Sequence, residues 1–260
     1  MSTFTPTNHS NRIETNTHRI HLEPRISAAK LAEYVVANPL RQTAIVKNAK
    51  NAPKQITSQY HRVRNTFRHA HSEQGLSSAY FMDLALVVES AEADTDWQIR
   101  DNDLSGKALK KLAELASQVE CASASIIHSK WKPLLIHGVT VSVHPEIAFS
   151  MLHKGITKVG GVILNTPLNE SSSLAKSSGK HCVGDYLTAL LYLMLANQAA
   201  DVGIPLHTRC YAVDIFRDKI YTAPASYKTL VKHMDEACKM IALRWDSVPV
   251  EMDPESVDIF

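Results

Sequence analysis

The chain has 260 residues, 45% of them apolar, and 28 Lys/Arg against 26 Asp/Glu give a formal net charge of +2. That length and apolar content allow a sizeable core, and the near balance of charge excludes a polycation. No run approaches the roughly 18 apolar residues of a membrane span, and the polar opening MSTFTPTNHSNRIETNTH has no apolar stretch of a secretory signal, so a cytoplasmic protein is expected.

In chain order, residues 1–24 read as an extended or poorly ordered arm, and 25–104 as a helical region. Ser27 caps a helix, SAAKLAEYVVANP, which stops near Pro39. LRQTAIVKNAKNAPKQ follows as a short helix broken by Pro53. In TSQYHRVRNTFRHAHS, Tyr60, Val63, Phe67 and Ala70 recur at three- and four-residue spacing and form one apolar stripe. LSSAYFMDLALVVESAEA is a further helix, and the Asp/Asn-rich EADTDWQIRDNDLSG reads as a loop.

From Ser105 the pattern changes to a mixed α/β (α+β) core over 105–247. A helix over about Gly106–Ser129 precedes LLIHG, VTVSVHPEI and VGGVILNTP, runs rich in β-branched residues and bounded by Gly or Pro. The segment between the last two reads as a short connection. An apolar helix, VGDYLTALLYLMLANQAADVG, separates these from HTRCYAVDIF and KIYTAP, and SYKTLVKHMDEACKMIALRW closes near Trp245. The expected architecture is a mixed sheet flanked by helices, with an all-α N-terminal region beside it. The residues after 247 read as an acidic tail, by default a disordered end, whose last two apolar residues in EMDPESVDIF would also suit docking in a basic pocket of a protein partner or folding back over the chain's own Arg41–His71 face.

Cys121, Cys182, Cys210 and Cys238 are scattered, which argues against a zinc site and for reduced, packed thiols. His69 and His71 point apart on a helix and so do not form a ligand pair. No phosphate-binding glycine loop is present. The densest chemical signal lies between Arg41 and His71. Arg41, Lys47, Lys50, Lys54, Arg62, Arg64 and Arg68 occur there without one Asp or Glu, and His61, His69 and His71 add donors. Such a segment fits the phosphate backbone of DNA or RNA. No helix-turn-helix or zinc-finger spacing supports sequence-specific reading.

Pro145-Glu146 after a strand, within the order helix, strands, helix, strand, resembles the PD-(D/E)XK nuclease superfamily over about 105–245. The resemblance implies a Mg²⁺-dependent phosphodiesterase frame in which Glu146 is the first metal-holding acid. Glu114 or Glu120 on the preceding helix would supply an auxiliary ligand. The next strand, Gly160 to Thr166, carries neither the acid nor the lysine of the family pattern. Asn165 stands in as a weak oxygen ligand, and Lys158 or Lys154 would have to reach the vacant lysine position. His144, two residues before Glu146, shares its face on a strand. A degenerate, weakly cleaving or non-cleaving centre on a nucleic-acid-binding frame is therefore expected. The alternative is a protein-interaction module on a dead nuclease scaffold.

Overall fold

The computed structural model describes residues 12–14, 18–53, 60–74, 77–119, 124–165 and 181–250. The segment expected as an extended or poorly ordered arm holds two strands. Strands β1 (Arg12–Glu14) and β2 (His18–His21) pair antiparallel, and β4 (Asn51–Pro53) pairs with β2 on its other side. Ile20 is fully buried, and the Trp245 indole donates to the His21 carbonyl at 3.2 Å, so the far end of the chain holds this strand in place.

β3 (Arg25–Ser27) runs into α1 (Ala28–Val36), where the Ser27 hydroxyl accepts from the Lys30 amide as the sequence predicts. Asn38 caps α2 (Pro39–Lys50) with Pro39 in the first turn, and this helix ends before Pro53, which lies in β4. α3 (His61–Gln74) and α4 (Ser78–Glu89) follow. The helix after them begins earlier than expected. α5 spans Asp96–Leu115, because the Thr95 side chain and Gln98 cap each other's backbone in a reciprocal box. It ends in a 3₁₀ turn at Ala116–Gln118 and does not continue to Ser129.

β5 (Ser125–Ile126) is short. β6 (Leu134–Ile136) and β7 (Val139–Ser142) form a hairpin, and β3 joins β7 in parallel to make a small three-stranded sheet. The segment expected as a connection is itself a strand: β8 (Ile147–His153) pairs antiparallel with β9 (Ile156–Asn165) along its whole length. Lys154 and Gly155, both at positive φ (51° and 76°), make the two-residue turn whose twist suits a hairpin. α6 (Val183–Gln198) carries the chain over to β10 (Ile204–Asp214), which lies parallel to β9; β11 (Lys219–Thr222) returns antiparallel, and α7 (Tyr227–Trp245) closes. The main sheet has the order β11-β10-β9-β8-β5.

Alternation along these strands sends side chains into two separate cores. Ala148, Val159, Ile163, Cys210 and Ala212 face one cluster with α1, α2, α6 and α7. Ile147, Phe149, Val162, Leu164, Tyr211 and Val213 face the other, with α3, α4 and α5. The stripe foreseen on α3 is part of it, with Tyr60, Val63 and Phe67 all buried. The helical region is thus divided between both faces of the sheet, and two short strands, β3 and β4, interrupt it. α3 is thereby carried to the edge where β8 begins and β9 ends.

Candidate functional site

Pro145-Glu146 lies between β7 and β8, at the sheet end where β9 and the parallel β10 also finish. The Glu146 amide donates to Val162 O at 2.9 Å, which folds the residue back over β9. One carboxylate oxygen then accepts from the Leu164 amide at 2.8 Å. The other accepts from the Arg64 guanidinium on α3, whose second nitrogen reaches Leu164 O at 3.2 Å. The Glu146 side chain has no exposed surface. Burial pushes its carboxyl above the ordinary range, while Arg64, the Leu164 amide and Arg68 pull against that; the net direction is upward.

Asn165 comes to the same end of the sheet but is spent on another acid. Its amide donates to Asp214 at 3.0 Å across the β9–β10 register, and Arg217 donates to the same oxygen at 2.9 Å. Asp214 is buried and satisfied, a strand-end anchor rather than a metal ligand.

The other expected members of a cleavage centre lie apart. Lys158 is near the start of β9, about 23 Å from Asn165 along the strand at ~3.3 Å per residue, and its neighbours in register are Met151 and Ile204. Lys154 occupies the hairpin turn at that far end. Glu114 is exposed on α5, and Glu120 lies outside the described residues. Among the described residues no three His, Cys, Asp or Glu side chains group to hold a metal. A Mg²⁺ ion needs free carboxylate oxygens, and a guanidinium and an amide already hold both oxygens of Glu146. The residues do not fit the ion that the nuclease resemblance implies.

The basic segment is dispersed too. Arg41 and Lys30 share Glu33 at 2.6 and 2.7 Å. Burial would raise the Glu33 carboxyl, but these two cations outweigh it and hold the group below its ordinary value. Arg62 donates to Asn102 at 2.8 Å. Lys50 is buried and donates to the Trp245 and Val248 carbonyls at 2.8 and 2.9 Å, closing the C-terminal end of α7. Lys47 is exposed on α2 near Arg244. Lys54 and the acidic tail from 251 lie outside the described residues, and nothing of the His71 side chain is described.

Arg68 has a different setting. It is exposed on α3 and lines an open groove of about 900 Å³ beside Glu146. His69 from α3, His128, Lys130 and Trp131 from the β5–β6 segment, and His144 from the β7–β8 segment add further basic and aromatic lining. Among the described residues lining this groove, Glu146 is the sole acid, and Arg64 neutralises it. The sequence held a signal for this in HSKWK (His128–Lys132), which interleaves basic residues with an aromatic one. A helix drawn through to Ser129 conceals it.

Free thiols are Cys182, Cys210 and Cys238 among the described residues, and burial raises the Cys238 thiol to about 12. No helix of the described residues is long and apolar enough to cross a membrane. Comparison of the chain with family models, with curated proteins and with solved structures finds no match.

Proposed function

We propose that this protein binds nucleic acid through the sugar–phosphate backbone, in the groove beside Glu146, and does not hydrolyse it. The carrying observation is the groove's lining: Arg68, Lys130, His69, His128 and His144 converge from three segments on a concave surface where, among the described residues, the one lining carboxylate is already neutralised. Cations at such a surface release counterions from a polyanion, whatever its sequence. With the β6–β7 hairpin of the smaller sheet set aside, the order α5-β5-β8-β9-α6-β10 supports descent from a PD-(D/E)XK-like frame, with the Glu146 carboxylate turned from metal chemistry to a structural pairing. DNA and RNA are both served by this chemistry, and a reducing cytoplasm suits the free thiols.

The test is affinity against salt. The logarithm of affinity should fall linearly with the logarithm of salt, and Arg68→Ala and Lys130→Ala should each flatten the slope by about 1. Binding that ignores both salt and these substitutions refutes the proposal.

One observation favours a second reading, a protein-interaction module. Met82, Leu86 and Val87 on α4 are exposed, the last two at 59% and 62%. Under that reading Leu86→Glu abolishes a partner contact, and no oligonucleotide binds at low salt.

A further inference from the structure

Two clefts share His144 in their linings. Besides the groove beside Glu146, a smaller cleft of about 400 Å³ opens where β3, α1, α2 and β7 come together, and His144 lines both. Arg25, Lys30 and Arg41 line this smaller cleft. Lys30 and Arg41 share the one carboxylate of Glu33, so the pair keeps a net positive charge, and the exposed Arg25 adds another. α1 begins at this cleft, and the positive end of its dipole adds to the field.

Resting on the nucleic-acid reading above, we infer that the two clefts form one continuous track for an unpaired strand, with phosphates held at Arg25 and Lys30 in one cleft and at Arg68 and Lys130 in the other. Shape and lining select a single strand over a duplex. A duplex offers a convex, stiff cylinder with its bases stacked inside. A single strand bends into nucleotide-sized hollows and turns its bases outward for stacking. The larger groove supplies such faces in Trp131 and in the rings of His69, His128 and His144. Continuity through His144 makes occupancy of the second cleft intramolecular once the first is filled, so affinity climbs steeply with strand length. A lone phosphate-bearing metabolite would fill one cleft and gain nothing from the other.

The experiment measures fluorescence anisotropy with labelled oligo-dT and oligo-U of about 4 and about 12 nucleotides, and with a duplex of the longer length. Wild type is compared with Arg25→Ala and Arg68→Ala, each checked by circular dichroism. The longer strand should bind about 100-fold more tightly than the shorter. Arg25→Ala should remove about tenfold of that gain and leave the shorter strand within about twofold, while Arg68→Ala weakens both. The duplex should bind about tenfold or more below the single strand. Similar affinities for oligo-dT and oligo-U, which differ in the 2′-hydroxyl and the base methyl, are expected of a track built on phosphate and base faces. If Arg68→Ala weakens binding while Arg25→Ala is silent at both lengths, or if duplex equals single strand, the track is overturned and the backbone-binding groove stands. If neither substitution changes binding, both fall. Should Arg25→Ala lose its fold, Arg25→Gln, which keeps most of the stem and removes the charge, must show the same loss for the longer strand; wild-type binding by that variant overturns the track.

Discussion

Arg64 and Glu146 are 82 positions apart and meet where α3 crosses the start of β8. The guanidinium takes one oxygen of a carboxylate whose other oxygen holds the Leu164 amide, and the same arginine reaches the Leu164 carbonyl. The acid with which the nuclease resemblance begins therefore ties a helix of one layer to two strands of the sheet. Breaking a buried pair from one side leaves an uncompensated charge and costs about 3 kcal/mol, more than the intact pair contributes over an apolar substitute.

Removing Arg64 should make stability depend on pH in a defined direction. The folded-state Glu146 carboxyl is raised above its ordinary 4.5 by burial, although Arg64 opposes the rise. Without Arg64 it climbs further. A carboxyl raised on folding binds more protons in the folded state, so stability is greatest below the unfolded value and falls as pH rises through the folded one. Arg64→Ala should therefore lose little in urea unfolding near pH ~4 and about 3 kcal/mol near pH ~8. Adding Glu146→Gln should recover much of the loss at the higher pH. An equal loss at both pH values would mean that Glu146 is not the group left stranded.

Millimolar Mg²⁺ or Mn²⁺ should neither raise the melting temperature nor support nicking of plasmid. An ion bound to the folded state at about 100 times its Kd would stabilise it by about 2.7 kcal/mol, an effect that scanning fluorimetry resolves easily. A stabilisation by metal that disappears in Glu146→Gln would show that the carboxylate exchanges Arg64 for a cation, and would return the site to hydrolytic chemistry.

How much of this was legible beforehand differs by residue. The Ser27 cap, the Tyr60–Val63–Phe67 stripe and the β9 and β10 runs were readable because each depends on neighbours within one or two turns of chain. β8 was hidden by its composition: Ile147–Ala148–Phe149 is buried but Leu152 and His153 are exposed, so the segment shows no even alternation. Its clearest mark was the Lys154-Gly155 turn. The start of α5 was masked by acids and amides, two of which, Asp101 and Asn102, are in fact buried. The pairing of Arg64 with Glu146, and the sharing of two clefts by His144, depend on where distant segments meet. No local pattern encodes either.

Gly160 marks a place where β9 and β10 approach too closely for a side chain. A Cβ there would run into the Arg209 carbonyl oxygen and lie 2.7 Å from the Phe149 ring. Backbone cannot yield as a flexible side chain does, so Gly160→Ala should cost about 3 kcal/mol through parting of the sheet. Gly155→Ala is the contrast. Nothing lies within 4 Å of that position, and its φ of +76° is the only obstacle, so the cost should be about 1 kcal/mol. Denaturant melts of the two variants check the order; the reverse ranking would mean that the strands are not in this register.

Lys50 belongs to the basic segment by sequence and to the core by position. Its ammonium is buried, and it donates to the last carbonyls of α7 and the turn after it, at Trp245 and Val248, where the negative end of the helix dipole lies. Charge-assisted bonds of this kind are worth about 1.5–3 kcal/mol, and without them the two carbonyls lose their cation while Trp245 still has to anchor β2 through His21. Lys50→Met keeps the packing of the stem and removes the charge, so it should lower stability by about 2 kcal/mol. Because Lys50 lines neither the Glu146 groove nor the Arg25 cleft, the same variant should leave the salt slope of oligonucleotide binding as it is in wild type, in contrast to Arg68→Ala. A slope reduced by about 1 with stability intact would move Lys50 back to the binding face.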